Sequence, residues 1–301
     1  MTGPFRLSDE VRSALEERRA VVALETSVLA QGLPAPRNLE AAAAMGLAVR
    51  RGGAVPAWVA VEDGALVVGL GEEELERLAA PDAAAKVARR DLPAAVASGG
   101  LGATTVSATL WAAHRVGIEV VATGGIGGVH PGDADVSADL FELARTPGLV
   151  VCAGPKSIVD PVATAERLEE LGILVVGYRC RRLPFFLVRE APVDLEHRVE
   201  TPEEAARVAA ARRELGVGAA VLLCSPIDEA RAMDAGEVAA ALRACEAEAD
   251  RLGVSGKART PFLLACLAER TDGRSLEANL ALLEADAELA SRVAAALATL
   301  G

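Results

Sequence analysis

The sequence predicts an α/β protein with three α/β/α layers and a largely parallel central sheet. Short, continuous apolar runs alternate with Ala-, Glu- and Arg-rich segments that have the period of amphipathic helices. Apolar runs without polar alternation suit strands that are covered by helices on both faces. After Ser225 these runs stop, and the remaining segments predict a helical C-terminal layer.

The elements are predicted in chain order. Strands are expected at residues 20–25, 118–123, 148–154, 173–178 and 218–225. Helices are expected at residues 37–51, 104–116, 159–171, 202–215, 234–252, 261–269 and 275–299. Asp63-Gly64 lies between two apolar runs, which predicts a small β-hairpin near residues 57–70. Because no linker or repeat interrupts this order, residues 1–301 are expected to form a single domain.

Composition and charge exclude several classes of protein. The 301 residues are 51% hydrophobic but only 3% aromatic, so a core of Ala, Val and Leu is expected rather than disorder. With 43 acidic and 31 basic residues the net charge is −12, which argues against a nucleic-acid partner. The N-terminal segment has no signal-peptide pattern and no run reaches the ~18 apolar residues of a membrane span, so we expect a cytoplasmic protein without a membrane partner.

The five cysteines follow no metal-binding or redox pattern. They are Cys152, Cys180, Cys224, Cys245 and Cys266, an odd number without a CxxC motif. Cysteines with such spacing are interpreted as buried thiols in a reducing compartment.

Two glycine-rich segments do not match the nucleotide-binding motifs they suggest. In GGIGGVHPG, His130 stands where a dinucleotide fingerprint needs its third glycine. Two residues before GVSGKART, Arg251 stands where a P-loop that ends in Gly256-Lys257 needs its first glycine. Neither a dinucleotide fold nor a P-loop is therefore supported.

Polar residues cluster at the predicted ends of strands, where open α/β sheets bind their ligands. Glu25 ends the first strand, Lys156 follows the strand at residues 148–154, and Lys86 and the loop at residues 123–140 add further polar groups. Asn279 adds an amide in the last helix. These residues are the candidates for a site.

Nine strings along the chain carry a resemblance to a known family. In order they are ALETS, QGLPAPRN, KVARRDLP, GATTVSAT, GGIGGVH, VSADLFELARTP, VCAGPKSI, TPFLL and SLEAN. With these strings the sequence resembles the pseudouridine-5'-phosphate glycosidase family, also called indigoidine synthase A-like proteins, over almost its whole length. It departs from the family's usual pattern in ALETS for ALEST, in SPID at residues 225–228, and in a shorter loop between Gly132 and Asp135.

The resemblance implies an activity, a metal and an assembly. Members of the family are α/β/α proteins that form homotrimers and reversibly convert pseudouridine 5'-phosphate and water to uracil and ribose 5-phosphate, with Mn²⁺ or another divalent cation. By resemblance Lys156 is the nucleophile, Glu25 the proton donor and Asp135 the metal ligand. The matching substrate-binding positions are Lys86, Val106, Ser137, Ala138, Asp139 and Asn279.

The chemistry of the bond explains why a lysine is needed. A carbon leaving group departs less easily than oxygen or nitrogen, so a pair of carboxylates alone is insufficient. Opening of the ribose and imine formation at its anomeric carbon, with protonation at the uracil carbon, permit the C–C scission, and the imine requires an unprotonated lysine. The buried strand before Lys156 offers the desolvation that favours this form, and a glutamate at the end of a strand suits proton transfer.

Five of the candidates also have a purely structural interpretation, and for Lys156 it is a surface lysine at the N-terminus of a helix. Glu25 would form an ion pair or cap a helix, Ser137 would only cap the helix that follows it, Asn279 would be an exposed mid-helix residue, and Asp135 would be a solvated loop residue. Two other functions stay open: a lyase that acts on another C-nucleotide or sugar phosphate, as in pigment biosynthesis, and a non-catalytic sensor of nucleotides or sugar phosphates.

Overall fold

The computed structural model describes residues 4–131 and 135–300, with Lys257 described by its backbone alone. The strands of the described residues are β1 (Phe5–Leu7), β2 (Val21–Leu24), β3 (Val55–Glu62), β4 (Ala65–Val68), β5 (Ala85–Val87), β6 (Gly102–Thr104), β7 (Val120–Ala122), β8 (Leu149–Cys152), β9 (Leu174–Tyr178), β10 (His197–Val199) and β11 (Val221–Cys224). The α-helices are α1 (Asp9–Glu16), α2 (Arg37–Arg51), α3 (Glu72–Ala79), α4 (Leu92–Ser98), α5 (Val106–Val116), α6 (Ala138–Leu143), α7 (Pro161–Glu170), α8 (Pro202–Glu214), α9 (Ala235–Arg251), α10 (Arg259–Arg270) and α11 (Arg274–Ala298).

The central sheet has the predicted parallel arrangement. Its strands lie in the order β3-β2-β7-β8-β11-β9-β10, and every neighbouring pair in this series is parallel. Parallel strands bring their carboxyl ends to one edge of the sheet, and that edge carries the polar residues singled out above.

The far half of β3 leaves this arrangement and carries a mixed extension. It pairs antiparallel with β4 and β6, while β1 and β5 add to those two strands in parallel. The turn between β3 and β4 is formed by Asp63 and Gly64, both with positive φ (51° and 75°), as a type I′ turn requires. The predicted hairpin is confirmed.

Two apolar clusters cover the two faces of the sheet. Along β2, Val22 and Leu24 face the cluster that includes α2, α8 and α11, whereas Val21 and Ala23 face the cluster that includes α1, α5 and α7. The predicted three-layer architecture, with α9, α10 and α11 as a helical C-terminal layer, is confirmed. Of the helices in the described residues, none is long and apolar enough to cross a bilayer.

One prediction about the cysteines is wrong. Cys245 on α9 and Cys266 on α10 form a disulfide, with their Cα atoms 5.8 Å apart. The two helices pack side by side after a short connection, and a spacing of 21 residues in the sequence does not reveal this contact. Cys152, Cys180 and Cys224 are free thiols, and the first and last of these are buried. The single domain and the cytoplasmic location stay predictions.

Candidate active site

A cleft at the carboxyl edge of the sheet contains all nine residues that the sequence singled out. It has two connected parts. The inner compartment lies between the ends of β2 and β7 and the helices α10 and α11, and the loop compartment, of about 190 Å³, lies beside the loop at residues 124–139. Glu25, Ser27, Lys86, Lys156 and Thr260 line both parts. Asn279 lines the inner compartment, while Val106, Asp135, Ser137, Ala138 and Asp139 line the loop compartment.

Glu25 is held by two hydroxyl groups rather than by an ion pair. It follows β2 directly and is 2% exposed. Ser27 Oγ donates to Glu25 Oε2 at 2.5 Å, and Thr123 Oγ1 donates to Glu25 Oε1 at 2.5 Å. Because each carboxylate oxygen accepts one of these bonds, the orientation of the carboxyl group in the cleft is fixed.

Lys156 follows β8 on a loop that is paired with the loop after β7. Its backbone N–H donates to the carbonyl of Ile126 at 2.9 Å, and Ile126 forms a parallel bridge with Pro155. The side chain of Lys156 makes no ion pair or hydrogen bond with any described residue. An amine that no carboxylate of the described residues engages is available to a ligand in the cleft, which suits a nucleophile.

Lys86 reaches the same cleft from the mixed extension of the sheet. It lies at the centre of β5, in register with Ala103 of β6. The chain therefore places two of its three lysines, Lys86 and Lys156, in one cleft.

Asp139 joins two segments that form the loop compartment. Its carboxylate accepts the backbone N–H of Ser107 at the start of α5 and that of Gly127, each at 3.0 Å. A Cβ atom at Gly127 would lie 2.2 Å from Ser137 Oγ, so only glycine permits this close approach. Asp139 therefore positions the wall of the compartment, and its contact with a substrate stays a prediction.

Ser137 has the capping role that the sequence suggested. Its Oγ accepts the backbone N–H of Asp139 at 3.2 Å at the start of α6, a helix of six residues. Val106, the first residue of α5, is 1% exposed and lies beside this cap in the wall of the compartment.

Asn279 does not have the exposed position that its structural interpretation required. It lies two turns into α11 and is only 7% exposed. Its side-chain amide makes no hydrogen bond with a described residue, although it lines the inner compartment. A buried amide without a partner offers a donor and an acceptor to a ligand.

Asp135 lies at the rim of the loop compartment and is exposed. Its backbone carbonyl accepts the N–H of His130 at 2.9 Å, which fixes the main chain but not the carboxylate. Within residues 4–131 and 135–300, no group of three His, Cys, Asp or Glu side chains could hold a metal ion. Of the described residues, Asp135 is the carboxylate that the sequence predicted for this site, and fewer than three such ligands meet there. The shortened segment before it, at residues 132–134, lies outside the described residues.

The polar side chains of this cleft that sequence reasoning did not name individually include Ser27, Gln31, Thr123, His130 and Thr260. Burial lowers the pKa of His130, and the charges of Arg259 and Lys86 lower it further while Asp135 opposes them. The buried His130 Nδ1 has no hydrogen-bond partner among the described residues. The position of Thr123 and His130 in the loop after a buried strand was the signal that could have identified them.

These features define a class of protein: an α/β enzyme with a lysine and a buried glutamate at the carboxyl edge of a parallel sheet. Residues 10–296 match the family model described as indigoidine synthase A like protein, and the chain belongs to this family.

Relatives and solved structures cover nearly the whole chain. The sequence is 46% identical to the pseudouridine-5'-phosphate glycosidase of Caldanaerobacter subterraneus subsp. tengcongensis, over 97% of this chain and 96% of the relative. It is 50% identical to the same-named protein of Symbiobacterium thermophilum, over 96% of each.

Two solved structures show the same fold. The prealnumycin C-glycosynthase AlnA, in complex with ribulose 5-phosphate, has a TM-score of 0.90 and 42% identity, over 98% of this chain and 97% of that chain. An indigoidine synthase A-like protein from Thermotoga maritima has a TM-score of 0.91 and 38% identity, over 98% and 96%.

Proposed function

We propose that the chain cleaves the C–C glycosidic bond of pseudouridine 5'-phosphate reversibly, with uptake of water, to give uracil and ribose 5-phosphate. The observation that carries the proposal is the cleft in which Lys156, free of any described ion pair, lies with the hydroxyl-bound Glu25. Relatives at 46–50% identity carry the name of this activity.

Lys156 acts as the nucleophile in this proposal. Its amine bonds to the anomeric carbon as the ribose ring opens, and the nitrogen lone pair then forms the imine as the C–C bond breaks. The bonding electrons go to the uracil carbon, which takes up a proton. Water hydrolyses the imine, so that the oxygen of water ends in ribose 5-phosphate and the lysine is regenerated.

Glu25 serves as the proton donor. It lines both parts of the cleft, so a substrate that extends through them passes its carboxyl group. Ring opening needs a proton at the ring oxygen, and scission needs one at the uracil carbon. The hydroxyl groups of Ser27 and Thr123 donate to Glu25 and keep its carboxyl group in place for both transfers.

The two compartments suit the two halves of the substrate. The loop compartment has Lys86 and Arg90 in its wall, and positive charge there suits a sugar phosphate. The inner compartment contains Asn279, whose unpartnered amide suits the donor and acceptor groups of a pyrimidine edge.

A divalent cation, Mn²⁺ or a similar ion, is proposed at Asp135. One exposed carboxylate fits an ion that keeps most of its water ligands, as hydrated Mg²⁺ does when it binds through one carboxylate and a substrate. When bound, such an ion would neutralise negative charge on the substrate. The homotrimer is likewise proposed, and light scattering on the purified protein tests it.

Reductive trapping tests the mechanism. Borohydride added during turnover should attach a ribose-phosphate adduct to Lys156, located by peptide mass spectrometry, because reduction makes the imine permanent. The chain contains three lysines whose side chains could carry such an adduct, Lys86, Lys156 and Lys257. Lys156→Arg, which keeps the charge but forms no imine under these conditions, should abolish both the adduct and cleavage. An adduct on Lys86 instead would reverse the roles of the two lysines.

One comparison favours a second candidate function, a C-glycoside lyase or synthase for another aglycone. The similar prealnumycin C-glycosynthase is named for a different C-glycoside and binds ribulose 5-phosphate. Parallel assays with pseudouridine 5'-phosphate and other C-ribosyl phosphates separate the two candidates. Binding without turnover of any of them would instead support a sensor.

A further inference from the structure

A third cavity adjoins the inner compartment on the side away from the loop compartment. We call it the apolar chamber. It has a volume of about 420 Å³, against about 40 Å³ for the inner compartment. The two cavities share six wall residues: Gln31, Gly32, Phe186, Pro261, Leu264 and Asn279. A group that contacts Asn279 from the inner compartment therefore lies next to the chamber.

The chamber offers apolar surface and few free polar groups. Its further walls include Leu33, Leu187, Leu267 and Leu276. Ser275, which also lines it, is buried, and its hydroxyl accepts a hydrogen bond from Thr271 Oγ1 at 3.0 Å. Glu269, which is exposed, also lines the chamber, so the wall suits an apolar part of a ligand away from Glu269 and the border amides.

Two amides at the border each have at least one polar atom without a hydrogen-bond partner among the described residues. Gln31 Nε2 donates to the carbonyl of Ala84 at 2.9 Å, and this bond orients the amide, while Gln31 Oε1 is buried without a partner among the described residues. Asn279 is more than nine-tenths buried and has no hydrogen bond to a described residue. The buried Gln31 Oε1 requires a partner, the unpaired amide of Asn279 offers a donor and an acceptor, and both residues line the two cavities.

Phe186 completes the border with a backbone conformation that aromatic residues rarely adopt. Its φ is +54°, and its side chain is 2% exposed. A Cβ atom at Gly125 would lie 2.8 Å from Phe186 Cδ2, so the ring rests directly on the loop after β7. A bulky residue held at positive φ is a strained feature of the kind that clusters at ligand sites.

From this arrangement we infer that the cleft also accepts planar aglycones larger than one pyrimidine ring. The inference rests on the proposed function, because it places the same ribose 5-phosphate chemistry beside the chamber. The hydrogen-bonding edge of the aglycone lies at Asn279 and Gln31, and a fused apolar ring extends into the apolar chamber. The substrate class is a C-riboside 5'-phosphate of a fused bicyclic aromatic compound that carries an amide or enol edge.

The reaction balances in the direction of synthesis as it does for uracil. Ribose 5-phosphate forms an imine with Lys156 and releases water. The nucleophilic ring carbon of the aglycone then bonds to the imine carbon and loses its proton, after which ring closure releases the lysine. No oxidant or reductant is needed.

The experiment uses ribose 5-phosphate with 4-hydroxy-2-quinolone, whose amide edge, nucleophilic ring carbon and fused benzene ring match this class. Uracil is assayed in parallel, and products are measured by mass spectrometry. The wild type should form both C-riboside 5'-phosphates, and Lys156→Ala, like a reaction without enzyme, should form neither. Ala265→Trp, at an exposed position of α10 that lines only the chamber, should lower the quinolone product at least tenfold and change the uracil product less than twofold.

A matched control separates filling of the chamber from a general effect of tryptophan. Ala285→Trp places the same side chain at an exposed position of α11 outside these cavities, and it should change neither product. Uracil product without quinolone product, or quinolone formation that Ala265→Trp does not reduce, would overturn the inference and leave the proposed function intact. Failure to form the uracil product would count against the proposed function itself.

Discussion

Glu25, on the inner wall of the cleft, and Asp135, in the loop at its rim, differ in how the surrounding chain holds their carboxyl groups. Glu25 is 2% exposed and accepts hydroxyl hydrogen bonds on both oxygens. Asp135 is exposed, and only its backbone carbonyl is tied, to the N–H of His130. Both residues line the same loop compartment.

The difference follows from which part of the fold positions each of the two side chains. On the inner wall, Glu25 and Thr123 directly follow β2 and β7, and Lys156 lies in the loop after β8, so the central sheet positions these three residues. Asp135 lies in the connection between β7 and α6, and its side chain makes no hydrogen bond or ion pair with a described residue. A preorganised group is needed where a proton is transferred, whereas a hydrated ion needs only a carboxylate within reach. We therefore expect substitutions on the inner wall to act on the rate and substitutions at the rim to act on ligand affinity.

The largest effect is expected from Glu25→Gln. The amide keeps the size of the side chain but cannot deliver a proton, so kcat should fall by ~10² to 10⁴-fold with little change in KM. Steady-state kinetics from pH 5 to 9, corrected for the folded fraction, measure this. An unchanged kcat per folded molecule would remove Glu25 from the reaction and end the distinction between wall and rim.

A smaller loss is expected from Thr123→Val, which removes one of the two hydroxyl bonds to Glu25 at nearly constant volume. Because a buried acceptor left without its donor costs roughly 1–3 kcal/mol, kcat should fall about five- to hundredfold. Rescue by Thr123→Ser, which restores a hydroxyl, would show that positioning is the cause.

Thr146→Val is the matched control for this substitution. The Thr146 hydroxyl donates to Glu142, a buried carboxylate that lies outside the cleft. Its loss should lower the melting temperature without lowering kcat. If both variants lowered kcat equally, the loss at Thr123 would reflect general destabilisation.

Much of the fold and of the candidate site was predictable because both follow local patterns. The apolar runs gave β2, β7, β8, β9 and β11, and Glu25 and Lys156 were recognised because they follow such runs. β5 and β6, by contrast, have only three residues each, too few for a periodic pattern, so the strand that carries Lys86 was missed.

Contacts between distant segments were beyond the reach of the sequence. Thr123 reaches Glu25 across 98 residues, and Asp139 reaches the N–H of Ser107 across 32. The disulfide between Cys245 and Cys266 has the same origin, because it depends on how two helices pack. Residue type and spacing alone do not determine such pairs.

At the rim, Asp135→Asn should act on metal affinity. The amide keeps the shape but removes the charge that attracts a cation, so about tenfold more Mn²⁺ should be needed for half-maximal activity, with the maximal rate within about threefold of the wild type. Titration of activity with Mn²⁺ after treatment with a chelator measures this. Full wild-type activity in chelator would show that the rim binds no ion that the reaction needs.

The smallest effect on activity, and a distinct effect on stability, is expected from Asp286→Asn. Asp286 is a fully buried carboxyl group on α11, two turns after Asn279, and unlike Glu25 it accepts no hydroxyl hydrogen bond among the described residues. Burial raises its pKa well above the usual value, the proximity of Cys152 adds to the rise, and a hydrogen bond from the backbone at Ala153 opposes it. Folding therefore binds a proton at any pH between the ordinary aspartate pKa, near 4, and the raised pKa of the folded state. The free energy of unfolding of the wild type should fall through that window as pH rises, by up to about 1.4 kcal/mol per pH unit, and the asparagine variant should lack this contribution.

Urea unfolding at pH 5 and pH 8 should thus show a gain for Asp286→Asn that grows with pH, while kcat stays within about twofold. Asp135→Asn, at an exposed position, serves as the control and should show no such trend. A gain that is equal at both pH values would mean that Asp286 is not protonated in the folded chain, and that burial without hydroxyl donors is tolerated by a charged carboxylate in this core.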